Sequence, residues 1–174
     1  MRDYKASAVF QAYKDPVLPD EPSSRDEATW TNDLTAFSPS SAETLVAIVR
    51  TLCPHDRVPD RCYRGVVFKL DAQAQTDPTF ADMLAVGVQQ LDGLQPLRFG
   101  ELSEGGRVAA LRKFEGSAFF RAVQRGAVRH LYDDREVWEL LGYEGASHHL
   151  GGYRTRGFAD LDWLPDPPQS VCEG

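Results

Sequence analysis

Three stretches between residues 37 and 93 each repeat their apolar residues at helical spacing, and each is bounded by chemistry that starts or stops a helix. Leu45, Ile48, Val49 and Leu52 fall at i, i+3, i+4 and i+7, which places them on one stripe. Two starts are open for this helix: Ser38-Pro39, or the capping box Ser40-x-x-Glu43. Pro54 ends it. Asp60 is expected to cap a second helix with Tyr63, Val66, Val67, Leu70 and Ala74 on its inner face. Asp77-Pro78 opens a third, in which Phe80, Met83, Leu84, Val88 and Leu91 repeat the pattern until Gly93.

Weaker signals continue the pattern. Leu102-Ser103 reads as the start of a fourth helix carrying Val108, Leu111 and Phe114, and Gly116-Ser117 interrupts and recaps. A fifth helix runs through Phe120, Val123, Ala127 and Leu131. Asp133 or Asp134 caps a short sixth, with Val137, Trp138 and Leu141, closed by Gly142. No segment alternates like a strand. The expected fold is an all-α bundle of five to six helices over residues 37–142.

The bundle is flanked by two stretches of different character. Residues 1–36 form a proline-broken acidic extension, with Pro16, Pro19 and Pro22 set among Asp15, Asp20, Glu21, Asp26 and Glu27. It also holds Tyr4, Phe10, Tyr13 and Trp30, so a flexible extension and an arm docking its aromatics on a partner both stay open. Residues 143–174 form a long irregular C-terminal arm, rich in aromatics and glycine. Tyr143, Tyr153, Phe158 and Trp163 stand there among Gly145, Gly151, Gly152 and Gly157, just after Trp138. Disordered tails are poor in such rings, and long loops usually have a task. The arm either wraps its own bundle or forms a protein interface, where Trp, Tyr and Arg are the enriched residue types.

Charge narrows the partners. The net charge is −7, and neither half is basic: residues 1–100 carry 10 basic and 14 acidic residues, the remainder 9 and 12. Nucleic-acid binding domains usually carry the opposite balance. No apolar run approaches the ~20 residues of a membrane span. Within this acidic chain, Arg121, Arg125 and Arg129 recur every four residues and form a ridge on one helical face. Like charges at that spacing cost an isolated helix ~0.2–0.5 kcal/mol per pair. Solvent and nearby acids offer one compensation. An acidic partner surface, gripped by guanidinium forks, offers another.

Reaction centres are hard to find. His148 and His149 are adjacent, without the i, i+4 geometry that sets two imidazoles on one helical face, and His55 and His130 lie elsewhere. A hydrogen-bonded loop pair is the plain reading, and a small histidine- or metal-dependent enzyme using His130, His148 and His149 is the alternative. There is no Gly-x-Ser-x-Gly elbow, no His-Glu-x-x-His helix and no glycine-rich phosphate loop. Cys53, Cys62 and Cys172 show no metal-ligand spacing. They fit reduced thiols, although Cys53 and Cys62 flank one loop and could pair in an oxidising compartment.

Phe119-Phe120, Tyr132-Asp133-Asp134, Trp138 and Leu141-Gly142-Tyr143-Glu144-Gly145 follow one another in an order that resembles the C-terminal half of the gluconate 2-dehydrogenase subunit 3 family. Gly151-Gly152-Tyr153, Gly157-Phe158 and Asp160-Leu161-Asp162-Trp163 extend the likeness, and Phe37-Ser38-Pro39 leading to Leu52-Cys53-Pro54 resembles that family's first helix. The resemblance covers roughly residues 37–166. It implies a non-catalytic small subunit whose large partner is a flavoprotein of the glucose–methanol–choline (GMC) type. That partner would hold FAD and oxidise CH–OH groups of a sugar, glycoside or polyol. This chain would hold no cofactor, and only an interface role is carried over, to the arm. In that family the small subunit often brings an export signal. No twin arginine or apolar signal is read at Met1–Phe10, so a cytoplasmic complex is expected, or a periplasmic one if a signal has been removed. A stand-alone helical binding module is the remaining alternative.

Overall fold

The computed structural model describes residues 29–143, together with 145, 146, 148, 151 and 152. The chain divides into two units, Met1–Tyr143 and Glu144–Gly174. The described part of the first is all-α. Its helices are α1 (Pro39–Leu52), α2 (Asp60–Thr76), α3 (Pro78–Asp92), α4 (Glu104–Arg112), α5 (Ala118–Leu131) and α6 (Arg135–Leu141), with 3₁₀ turns at Trp30–Asp33 and Phe99–Glu101. No strand occurs among the described residues.

Side-chain oxygens fix most of the starts. Of the two openings for α1, the chain uses Ser38-Pro39: the Ser41 N–H donates to Ser38 Oγ at 3.2 Å, with proline at the first turn. Asp77, Ser103, Ser117 and Asp134 do the same for α3, α4, α5 and α6. Asp60 does not cap α2. The preceding Pro59 is the extended N-cap residue, so Asp60 falls inside the first turn, where the helix dipole favours its charge. Its carboxylate pairs with Arg50 at the end of α1. The end of α6 is equally local: Gly142 adopts φ +76°, and the Tyr143 N–H reaches the Trp138 carbonyl at 2.8 Å.

Helix α2 lies at the centre, packed against α1, α3 and α5. Its inner side holds Tyr63, Val66, Val67, Leu70 and Ala74, all buried as their spacing predicts. Two glycines permit close helix contacts. A Cβ on Gly87 of α3 would stand 2.2 Å from the Phe119 ring of α5, and one on Gly126 of α5 would stand 2.7 Å from Leu70 of α2. On α4 the stripe is rotated from the expected one. Ala110 and Leu111 face inward, Val108 is exposed, and Phe114 lies beyond the helix end at Arg112.

The packed body also begins earlier than residue 37. Trp30 and Leu34, which the sequence places in the extension, belong to the core. Trp30 meets Phe68 edge-on with ring centroids 5.8 Å apart, beneath the Arg64 guanidinium. Asp71, buried in α2, then fixes the chain that follows: its carboxylate accepts from the backbone N–H groups of Thr35, Ala36 and Phe37 at 3.2, 2.9 and 3.0 Å, and from Gln75. Three backbone donors on one buried carboxylate turn an extension into part of the domain.

In the second unit the described residues include Gly145, Gly151 and Gly152, with φ of +88°, +80° and +69°. The Gly151 N–H donates to the His148 carbonyl at 3.2 Å.

Candidate partner interface

The surface of interest is built on α5. Its inner side, Phe119, Ala122, Val123, Gly126, Ala127 and Leu131, is buried against the neighbouring helices. Helical geometry then forces the intervening positions outward. Arg121, Arg125 and Arg129 are all exposed, as the sequence spacing requires. Among the described residues, none of the three guanidinium groups makes a hydrogen bond or an ion pair to an acid. Val128 lies among them and is 53% exposed.

His130 stands beside the ridge on the same helix. Half-buried His130 has its imidazole pKa pushed down, first by desolvation and then by Arg129 of the same helix and Lys69 of α2. Asp133 opposes the shift only in part. An imidazole so placed resists protonation, chiefly because burial disfavours its charged form.

The C-terminal end of α5 leads into an aromatic cluster. Tyr132 follows the helix, and its hydroxyl shares a 2.7 Å hydrogen bond with His55 Nε2 on the α1–α2 loop. The Trp138 indole N–H donates to the Tyr132 carbonyl, and Trp138 meets Tyr143 edge-on at 5.2 Å between centroids. Tyr132, Leu141 and Tyr143 remain exposed at 38%, 46% and 46%. Leu141, grouped with Val137 in the sequence reading, is therefore not a core residue. Helix α6 has two turns and a single deeply buried side chain, Val137, so Leu141 falls on its open side.

Polar contacts hold α6 in place where apolar burial is slight. Arg61 of α2 grips the Glu136 carboxylate with two nitrogens, Nε at 2.9 Å and Nη2. That hydrogen bonding holds the Glu136 carboxyl below its usual range. The Cys62 thiol lies 3.6 Å from the same carboxylate. Burial, with Asp134 and Glu136 adding negative charge, pushes Cys62 up to about 12, and burial raises Cys53 as well. Both are free, buried thiols held in the protonated form at neutral pH, and so poor nucleophiles.

The structure thus brings together Trp138 and Tyr143, and sets Arg121, Arg125 and Arg129 in one exposed row. His148 is exposed in the second unit. His149, Tyr153, Phe158 and Trp163 lie outside the described residues, as does Cys172. Among the described residues no cluster of three or more His, Cys, Asp or Glu side chains is arranged to hold a metal ion, and no helix is long and apolar enough to cross a membrane. Val128 and Lys69 escaped the sequence reading. Val128 was legible as an apolar residue on the polar side of α5, whereas Lys69 comes from another helix and leaves no local signal. Compared with family models, curated proteins and solved structures, the chain matches none.

Proposed function

We propose that this chain is the non-catalytic small subunit of a heteromeric oxidoreductase, binding and stabilising a large FAD-dependent, GMC-type flavoprotein that oxidises CH–OH groups of a sugar, glycoside or polyol. One observation carries the reading furthest. Tyr132, Leu141 and Tyr143, which contribute to the likeness to the gluconate 2-dehydrogenase subunit 3 family, are large and apolar yet stay 38–46% exposed. Their neighbour Trp138 is only half-buried. Large side chains left open beside one another are the material of a protein interface, where a partner excludes the water that the isolated chain leaves on them. In this reading FAD belongs to the partner, and the part of this chain is to cover the partner's matching surface.

The proposal requires a GMC-type flavoprotein encoded beside this chain, and the test is co-expression with it, followed by size-exclusion chromatography with flavin absorbance recorded across the profile. A single peak containing both chains and flavin is expected. Trp138→Ala and Tyr143→Ala should each weaken co-elution by about tenfold or more, the usual effect of removing a central aromatic anchor. Sugar oxidation by the purified single chain would overturn the proposal, as would a neighbouring flavoprotein that elutes alone.

A further inference from the structure

The outer face of α5 carries a more specific message than a generic basic patch. Consecutive arginines four residues apart advance by ~6 Å along the axis, so Arg121, Arg125 and Arg129 form a row about 12 Å long, inclined to the axis like any i, i+4, i+8 ridge. None of the three guanidinium groups makes an ion pair with an acidic side chain among the described residues, so close contact does not offset their mutual repulsion. Val128 adds an apolar contact point at 53% exposure. The chain as a whole carries −7. An acidic molecule is therefore repelled by the net charge and attracted by this row, which orients its approach onto one face.

We propose that the Arg121–Arg125–Val128–Arg129 face docks an acidic helix of a protein partner, one whose carboxylates recur every four residues. A second helix with Asp or Glu at i, i+4 and i+8 repeats the same ~6 Å step, so each guanidinium meets one carboxylate in register. An apolar residue beside those carboxylates covers Val128. Arginine suits this contact because its planar fork takes both oxygens of a carboxylate, which the point charge of lysine does not. Nucleic acid fits less well, because three cations on an acidic chain release few counterions. A second copy of this chain brings another −7 to the encounter. The inference deepens the subunit reading and rests on it only for the identity of the partner.

The probe is a fluorescein-labelled, end-capped helical peptide with glutamates at four-residue spacing and leucines beside them, titrated with the 174-residue chain and read by anisotropy. Binding is expected, weakening at least about tenfold in the Arg121→Ala/Arg125→Ala/Arg129→Ala variant and falling steeply as salt rises from ~0.05 to ~0.3 M. The triple Arg→Lys variant should keep part of the affinity. Far-UV circular dichroism confirms that the variants fold, as expected for exposed positions. Any one of four results overturns the proposal: no binding of the peptide; equal binding of a peptide with the same residues shuffled out of register; tighter binding of duplex DNA; or self-association that the triple alanine variant abolishes. The experiment also separates the two proposals. Peptide binding without a co-purifying flavoprotein removes the flavoprotein and leaves the docking face. A flavoprotein that co-purifies equally with wild type and triple variant removes the face alone.

Discussion

Helices α2 and α5 pack against each other, yet their polar residues do opposite things. On α2, Asp71 is buried and its carboxylate gathers three backbone N–H groups and a glutamine amide, while Arg61 grips Glu136 and Tyr63 donates to the Cys53 carbonyl. On α5, the three ridge arginines find no acidic partner among the described residues. A buried polar group has to be satisfied within the fold, because leaving it bare costs about 1–3 kcal/mol. A guanidinium in water carries no such penalty. The contrast therefore separates residues that make the fold from residues that the fold makes available.

That contrast can be broken by substitution. The largest effect should come from α2: Leu70→Ala removes a fully buried side chain that packs directly over Gly126 of α5. A loss of ~2–5 kcal/mol is expected, read as a lower urea midpoint with little change in slope. Gly87→Ala should follow, costing ~1–3 kcal/mol, because the new methyl meets the body of the Phe119 ring rather than a flexible chain end.

A pH titration probes the α2–α6 junction. The folded-state value of Cys62, about 12, lies above the ordinary 9.0. A raised value means that folding favours the protonated thiol, so its contribution is intact below pH 9 and is lost as the pH climbs towards 12. The Cys62 part of the decline across that window should be on the order of 1–2 kcal/mol, and Cys62→Ala should make the decline shallower, leaving the part due to the other raised groups, Cys53, Tyr63 and Tyr132.

The smallest effect, with the opposite sign, belongs to α5. Arg125→Ala removes the middle cation of the row and two like-charge pairs, so stability should rise by ~0.2–0.5 kcal/mol per pair while docking weakens. A marked loss of stability instead would show that Arg125 serves the fold and would erase the distinction between the two helices.

Much of this was legible in the chain itself. The stripe on α2 appeared residue for residue, and the arginine row lies outside because the buried side of α5 leaves it no other place. Trp30 and Leu34 were not legible as core. Nothing local distinguishes them from a linker, and they are held by Phe68 and by a turn fixed from Asp71, more than thirty residues away. Leu141 misled for a related reason: its spacing matched Val137, but a two-turn helix with one deeply buried side chain leaves its last apolar residue open.

Sequence alone determined the helices of the body and the row of cations, since both follow from periodicity and capping, which act over a few residues. Tertiary structure decided which residues were left over. It drew Trp30 inward, turned Val108 outward, closed Asp71 upon three backbone donors and left Tyr132, Leu141 and Tyr143 uncovered. Those outcomes depend on which surfaces remain after the helices have packed. That quantity belongs to the whole assembly of helices, and no short stretch of the chain encodes it.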